Sequence, residues 1–188
     1  VQGFEAASVA AGIKYKDRVD MALVYSKVPA TVAGVFTTNV VKASPVKWDM
    51  SIIKECETAQ AMVFNSGIAN ACTGQEGDVV NEAMAKAVAD ALNLPVEAVL
   101  TASTGVIGMP IPVDKVTIGG KLLVDNLKAD LEAGHNAAKA IMTTDTIPKE
   151  VAVEFSVAGK TVRLAGMSKG SGMIHPNMAT MLALVTTD

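Results

Sequence analysis

The residues best suited to chemistry lie in one segment, Ser168 to Leu182, which reads SKGSGMIHPNMATML. Gly170 and Gly172 permit a tight or irregular backbone, and Pro176 fixes a further bend. Small Ala179 then precedes Thr180, and an apolar stretch begins. A hydroxyl residue after a small residue, where a loop enters a strand, is the arrangement that self-cleavage needs. If the loop strains the Ala179 peptide, the Thr180 hydroxyl reaches the Ala179 carbonyl. The N-to-O shift leaves an ester, and its hydrolysis makes Thr180 a new N-terminus. The freed α-amine, with a pKa of about 7.7–8.0, then serves as general base for its own hydroxyl. Small-residue–Thr pairs are common, so the same segment also reads as an ordinary loop before a buried strand.

Other reactive types are sparse. Cys56 and Cys72 form no CxxC and cannot make a disulfide framework, which favours a reducing compartment. Cys72 has no histidine near it in sequence and reads as a small buried hydrophobe. His135 and His175 are the two histidines, too few for a His-rich metal motif. His175 precedes Thr180 by five residues and reads as structural. Net charge is −3 with no run of five like charges, so no basic footprint for nucleic acid is present. The longest uncharged run, Thr58 to Gln75, holds Asn65, Ser66, Asn70 and Thr73 and is too polar for lipid. No charged-then-apolar leader opens the sequence, and the expectation is a soluble, cytoplasmic-type protein.

The elements that must position these residues follow from periodicity. With 188 residues, half of them apolar, the chain suits one domain or one large piece of a bigger one. Aromatics are 4%, so the core must be built of Val, Ala, Leu, Ile and Met. Alternation predicts strands at 19–25, 32–38 and 61–65, and a short strand over 99–103 that ends at Thr104-Gly105. A helix is predicted from about Val79 to Leu92. Asp78 is its cap, and Val80, Ala83, Met84, Ala87, Val88, Ala91 and Leu92 share one face. Apolar spacing over 113–127 suggests a helix weakened by Gly119-Gly120, and a short helix is expected at 136–142. Alternation over 151–157 and 162–164 around Ala158-Gly159 predicts a hairpin, and 181–188 reads as another strand. Strict βαβ alternation is lacking. The fold class expected is therefore α/β or α+β with layered sheets, not a doubly wound parallel sheet.

The segment KGSGMIHPNMATML resembles the cleavage and nucleophile motif of the ornithine acetyltransferases. These are also called glutamate N-acetyltransferases or arginine-biosynthesis bifunctional proteins. GFEAASVAAGIK near the N-terminus, PATVAGVFTTN at 29–39, NSGIANACTG at 65–74, TASTGVIG at 101–108 and MTTDT at 142–146 resemble the same family, in its order. The resemblance covers essentially the whole chain. It implies a layered α/β sandwich similar to N-terminal-nucleophile hydrolases but with its own topology. It implies acetyl transfer from N-acetylornithine to glutamate through an acetyl-threonine enzyme, with no metal or organic cofactor. In bifunctional members acetyl-CoA is a further substrate.

Carried over residue by residue, Thr180 matches the nucleophile and Ala179–Thr180 the scissile bond. Thr104 and Gly105 match the oxyanion-hole pair, though a plain turn is the alternative reading. Thr143 and Lys169 match substrate-binding residues. A lysine ammonium suits the α-carboxylate that donor and acceptor share. Thr144, Asp145 and Thr146 either shape the pocket or form a turn, and Asn65, Ser66, Gly67 and Asn70 suggest an ordered polar loop with no assigned role. The implied partners are small-molecule substrates and the chain's own β chain, in an α2β2 heterotetramer, with no nucleic acid or membrane. Residues 1–188 then form the α-chain domain of a two-chain enzyme plus the first nine residues of the β chain, Thr180 to Asp188. The rest of that β chain, which helps line the family's site, lies beyond this sequence. Sheet edges and apolar surface are therefore expected to lie bare. The alternatives are a self-processing amidohydrolase or aminopeptidase of related layered fold, and an inactive truncated fragment.

Overall fold

The computed structural model describes residues 1–172 and 181–188. The expectations for His175, Pro176, Ala179 and Thr180 fall outside the described residues. Among the described residues the strands are β1 (Phe4–Val9), β2 (Met21–Thr31), β3 (Thr58–Asn65), β4 (Val99–Ser103), β5 (Lys149–Val157), β6 (Lys160–Lys169) and β7 (Leu182–Thr187). The helices are α1 (Ser44–Glu55), α2 (Gly74–Leu92), α3 (Val113–Asp125) and α4 (Leu131–Ala140).

Strands β1 to β4 form one sheet in that spatial order. The first three are antiparallel neighbours, and β4 runs parallel to β3 with Ala61 opposite Val99. A parallel pair needs a crossover, which α2 supplies. Because side chains alternate across a sheet, its two faces carry different residues. Met21, Leu23, Val63 and Val99 pack with Met84 and Val88 of α2 and Val116 and Leu123 of α3. Ala22, Phe64 and Ala102 pack the other way, with Ala137 and Ala140 of α4 and with Met167, Leu182 and Leu184 of the second sheet. That second sheet is antiparallel, in the order β5-β6-β7. The result is a layered mixed α/β fold, as the sequence pattern implies.

Local chemistry explains the boundaries. The Ala158-Gly159 turn has positive φ at both residues, 50° and 77°, which matches the twist of a two-residue hairpin. Gly119 and Gly120 are packing devices. A Cβ on Gly119 would meet the Met21 sulfur at 2.4 Å, and one on Gly120 would meet Ala87 Cβ at 3.2 Å. Their absence lets α3 settle on β2 and α2 at once. Helix α1 covers the outer edge of β4 with side chains. Trp48 Nε1 donates to the Val99 carbonyl at 2.9 Å, and the Asp49 carboxyl accepts from Thr101 N at 2.9 Å. An edge strand is thereby paired without another strand.

Several expectations are corrected. Residues 32–38 are not a strand, since β2 ends at Thr31 and the chain leaves the sheet there. Helix α2 begins at Gly74, so Asp78 is not its cap but sits inside it and pairs with Lys47 at 2.7 Å. Ala91 is exposed, whereas Asn81, Ala85 and Ala89 are buried. Helix α4 starts at Leu131, because the Asp130 side chain caps it by accepting from Ala133 N at 2.7 Å. Cys72 is exposed, with φ +58°, and is not a core residue. The face of the second sheet turned away from α4 is bare. Val151, Val153, Phe155, Val157 and Val185 are between 44% and 60% exposed on it.

Candidate active site

The parallel pairing of β3 and β4 runs on past both strand ends. Thr104 N donates to Asn65 O at 3.0 Å, Val106 N to Gly67 O at 3.2 Å, and Ala69 N to Val106 O at 2.9 Å. Among the described residues the Gly105 N–H between them has no acceptor. The two loops touch so closely that a Cβ on Gly105 would lie 2.3 Å from the Gly67 carbonyl carbon and oxygen. Gly105 also has φ +134°, a backbone open to glycine.

The polar loop at 65–70 is buried and rigidly bonded. Asn65 Nδ2 donates to Ile68 O at 2.8 Å, Ser66 Oγ to Ala140 O at 2.6 Å, and the Ser103 hydroxyl to Asn65 Oδ1. Asn70 Nδ2 reaches Gly77 O at 2.7 Å in the first turn of α2. Buried polar groups must be bonded in this way. The loop therefore forms the floor beneath Thr104 and Gly105.

At the end of β6 the Lys169 side chain is 4% exposed. Its Nζ donates to Thr143 Oγ1 at 2.8 Å and to Thr104 Oγ1 at 3.1 Å. Three residues, from the loop after β4, the α4–β5 loop and the end of β6, thus meet at one ammonium. Burial pulls this ammonium below the usual lysine range, and the negative charge of Asp145 pushes it back up. Asp145 is itself buried. Burial raises its carboxyl, but hydrogen bonds from Lys149, Gly170 N and Thr143 N, with the Lys149 charge, hold it at about 2.

Thr104, Gly105, Thr143 and Lys169 all line one cavity of about 350 Å³. Lys14, Tyr15 and Arg18 of the β1–β2 loop form its opposite wall. Buried Asp20 pins that loop, accepting from Ala11 N at 2.7 Å and Ile13 N at 2.6 Å. Arg18 donates to Met142 O at 2.6 Å, and the Lys14 ammonium lies 5.0 Å from the Tyr15 ring centre. Sequence reasoning missed this wall. A basic residue in a loop looks like any solvated charge, and only the contact with Met142, 124 positions away, brings it to the site. Thr144 lines the cavity too, whereas Thr146 is exposed outside it. Thr180 and Ala179 lie outside the described residues, but the segment's ends are fixed, because Lys169 pairs with Leu182 across β6 and β7. A groove of about 1090 Å³ between β1, α4 and the second sheet contains none of these groups.

A pocket of this size, with hydroxyls, several cations and a Gly105 N–H that has no acceptor among the described residues, has the dimensions and polarity to take a small molecule, and it is set in a layered α/β sandwich. The chain belongs to the ArgJ family, whose profile matches residues 5–188. It is 53% identical over 187 residues to the arginine biosynthesis bifunctional protein ArgJ of Caldanaerobacter subterraneus subsp. tengcongensis, covering 100% of this chain and 45% of that protein. The chain spans about half the length of the curated relatives it matches. Among solved structures, the arginine biosynthesis bifunctional protein ArgJ of Bacillus halodurans superposes with a TM-score of 0.89 at 42% identity, over 95% of this chain and 92% of that one. The ornithine acetyltransferase of Mycobacterium tuberculosis, solved in complex with ornithine, gives 0.84 at 39% identity, over 96% and 93%. The L-aminopeptidase D-Ala-esterase/amidase of Ochrobactrum anthropi, a variant of the Ntn hydrolase fold, gives 0.51 at 12% identity, over 89% and 51%, and shares the fold alone. Among the described residues no helix is long and apolar enough to cross a membrane.

Proposed function

We propose that this chain is the α-side portion of an ornithine acetyltransferase that moves acetyl from N-acetyl-L-ornithine to L-glutamate. The observation that carries the reading is the convergence of Thr104, Thr143 and Lys169 at one ammonium, beside the pair Lys169–Leu182. Thr180 precedes Leu182 by two residues, so connectivity tethers the proposed nucleophile to this wall. Family membership and the relative solved with ornithine support the substrate class. The chain covers 45% of a curated relative yet 92–93% of two crystallised chains, so those crystallised chains are also short beside that relative, which fits an enzyme of two chains.

The proposed chemistry runs in three stages. The chain first cleaves itself between Ala179 and Thr180, by attack of the Thr180 hydroxyl on the Ala179 carbonyl and hydrolysis of the ester. The freed Thr180 amine then takes the hydroxyl proton as Oγ attacks the acetyl carbonyl of N-acetylornithine. The oxyanion accepts hydrogen bonds from the Thr104 hydroxyl and the Gly105 N–H. Its collapse breaks the amide, ornithine leaves with the proton, and acetyl-Thr180 remains. The glutamate amine attacks that ester in turn, giving N-acetylglutamate and free Thr180. Thr143 and Lys169 hold the α-carboxylate common to both substrates. No metal or organic cofactor takes part, and acetyl-CoA would be an alternative donor in a bifunctional enzyme. The β chain completes the pocket in an α2β2 assembly, which we assign to the cytoplasm.

The test is an assay of the two-chain enzyme with N-acetylornithine, with and without glutamate. Formation of N-acetylglutamate in step with ornithine supports transfer. Release of free acetate unaffected by glutamate would make the protein a hydrolase instead.

A further inference from the structure

Asp145 does not line the cavity, yet it contacts two residues that do, Thr143 and Lys169. Its carboxylate is 1% exposed, and a buried charge of this kind is costly unless paired and hydrogen-bonded. Every part of it is engaged. Oδ1 accepts from Lys149 Nζ at 2.6 Å and from Gly170 N at 2.9 Å. Oδ2 accepts from Thr143 N at 3.3 Å and lies 4.0 Å from Lys169 Nζ. The four partners come from the α4–β5 loop, the start of β5, the end of β6 and the residue that follows it. Thr143 and Lys169 are the residues read above as substrate-binding. Gly170 opens the connection that carries Thr180.

Building on the reading of Lys169 as the ammonium that holds a substrate carboxylate, we propose that Asp145 is a positioning residue for transfer: it keeps Lys169 charged while buried and locks Thr143 and Gly170 in register with it. The Asp145 charge draws the proton onto Lys169, because opposite charges at this range favour the ionised form. Lys149 grips the same carboxylate from outside, with its side chain 41% exposed, and its like charge works against Lys169. The other charged groups facing Lys169 among the described residues are Lys14 and Arg18 across the cavity, both cations. Among the described residues, Asp145 is thus the anion that faces Lys169 against these cations.

The two neighbours of Lys169 should act with opposite sign. In the processed two-chain enzyme, KM for N-acetylornithine rises on the alkaline side as Lys169 loses its proton. Asp145→Asn should move that rise to lower pH by about one unit or more, and Asp145→Glu should partly restore it. Lys149→Met should move it to higher pH by a smaller amount, since a half-exposed charge is screened. The Thr180 amine titrates in kcat on the acid side and is read separately. Lys149→Met alters a half-exposed side chain, so it keeps the test alive if Asp145→Asn does not fold. An alkaline rise that stays in place in both variants, or that moves down in Lys149→Met, overturns the role of Asp145. Lys169→Ala is measured alongside. If its KM is that of the parent, the reading of Lys169 fails; if its KM rises while the Asp145 and Lys149 variants leave the limb unmoved, the positioning role alone fails.

Discussion

The Lys169 ammonium donates a hydrogen bond to the Thr104 hydroxyl oxygen at 3.1 Å, so the two side chains form one unit. Accepting from a cation leaves the Thr104 proton free for an acceptor in the cavity and makes it a stronger donor. Under the proposed mechanism, the lysine would act on the oxyanion through the threonine as well as on the substrate carboxylate directly.

Thr104 and Lys169 should consequently fail to act independently. Thr104→Ala should lower kcat by about 10²–10³ with little change in KM, since the oxyanion exists only past the ground state. Lys169→Ala should raise KM strongly and also lower kcat. The double variant should be less damaging than the summed singles, with a coupling of roughly 0.5–3 kcal/mol. Steady-state kinetics on enzyme shown to be processed would measure it, and strict additivity would contradict the shared unit.

Gly105 is fixed by the backbone opposite it. Gly105→Ala combines φ +134° with a Cβ 2.3 Å from the Gly67 carbonyl. It should destabilise by about 3 kcal/mol or more, through strain and displaced backbone. Gly134→Ala in α4, whose new Cβ meets nothing within 4 Å, should instead stabilise by about 0.4–1 kcal/mol. Denaturant melts of both variants would separate them. Equal, mild effects would mean that the loops at Gly67 and Gly105 are not in contact.

Asp49 should make stability depend on pH. Burial between α1, which carries it, and the edge of β4 raises its carboxyl from 3.8 to about 7, against the lowering effect of the Thr101 hydrogen bonds. Between these values the folded chain keeps a proton that the unfolded chain has released, so stability falls as pH rises. Asp49→Asn retains an oxygen for Thr101 N and has no proton to lose. It should flatten the slope between about pH 4 and pH 7 and gain roughly 1–3 kcal/mol over the parent at higher pH. Parallel pH slopes for the two proteins, measured by melting, would contradict a buried, proton-retaining Asp49.

How much of this was legible in the sequence depends on whether the determinant is local. The strand Val99–Ser103 and the hairpin around Ala158-Gly159 follow from apolar runs ended by turn residues, and both stand where alternation places them. Residues 32–38 have strand-like composition but no partner strand, and composition alone does not pair a backbone. The first turn of α2 holds Gly74 and Gly77, poor helix formers. A Cβ at Gly77 would lie 2.0 Å from Thr73 Oγ1, so glycine there serves packing, which periodicity does not register. Helix α1 and strand β1 have no counterpart among the predicted elements. At the site, Thr104, Gly105, Thr143 and Lys169 came from motif resemblance, and the structure gathers them in one cavity. Asp145 lay between a pocket and a turn reading because its partners Lys149, Gly170 and Lys169 converge only in three dimensions. Lys14 closes the motif GFEAASVAAGIK without an assigned role, and Arg18 lies outside the motifs, since what brings this loop to the site is the bond from Arg18 to Met142.

The most direct measurement is peptide mapping by mass spectrometry of the two-chain enzyme after incubation with N-acetylornithine and no glutamate. The peptide bond between Ala179 and Thr180 should be cut, and a single acetyl group should sit on the Thr180 hydroxyl. Added glutamate should remove that group, and Thr180→Ala should show neither cleavage nor label. An active enzyme with the Ala179–Thr180 bond intact, or an acetyl group found on Lys169 or elsewhere while Thr180 stays bare, would contradict transfer through an acetyl-threonine.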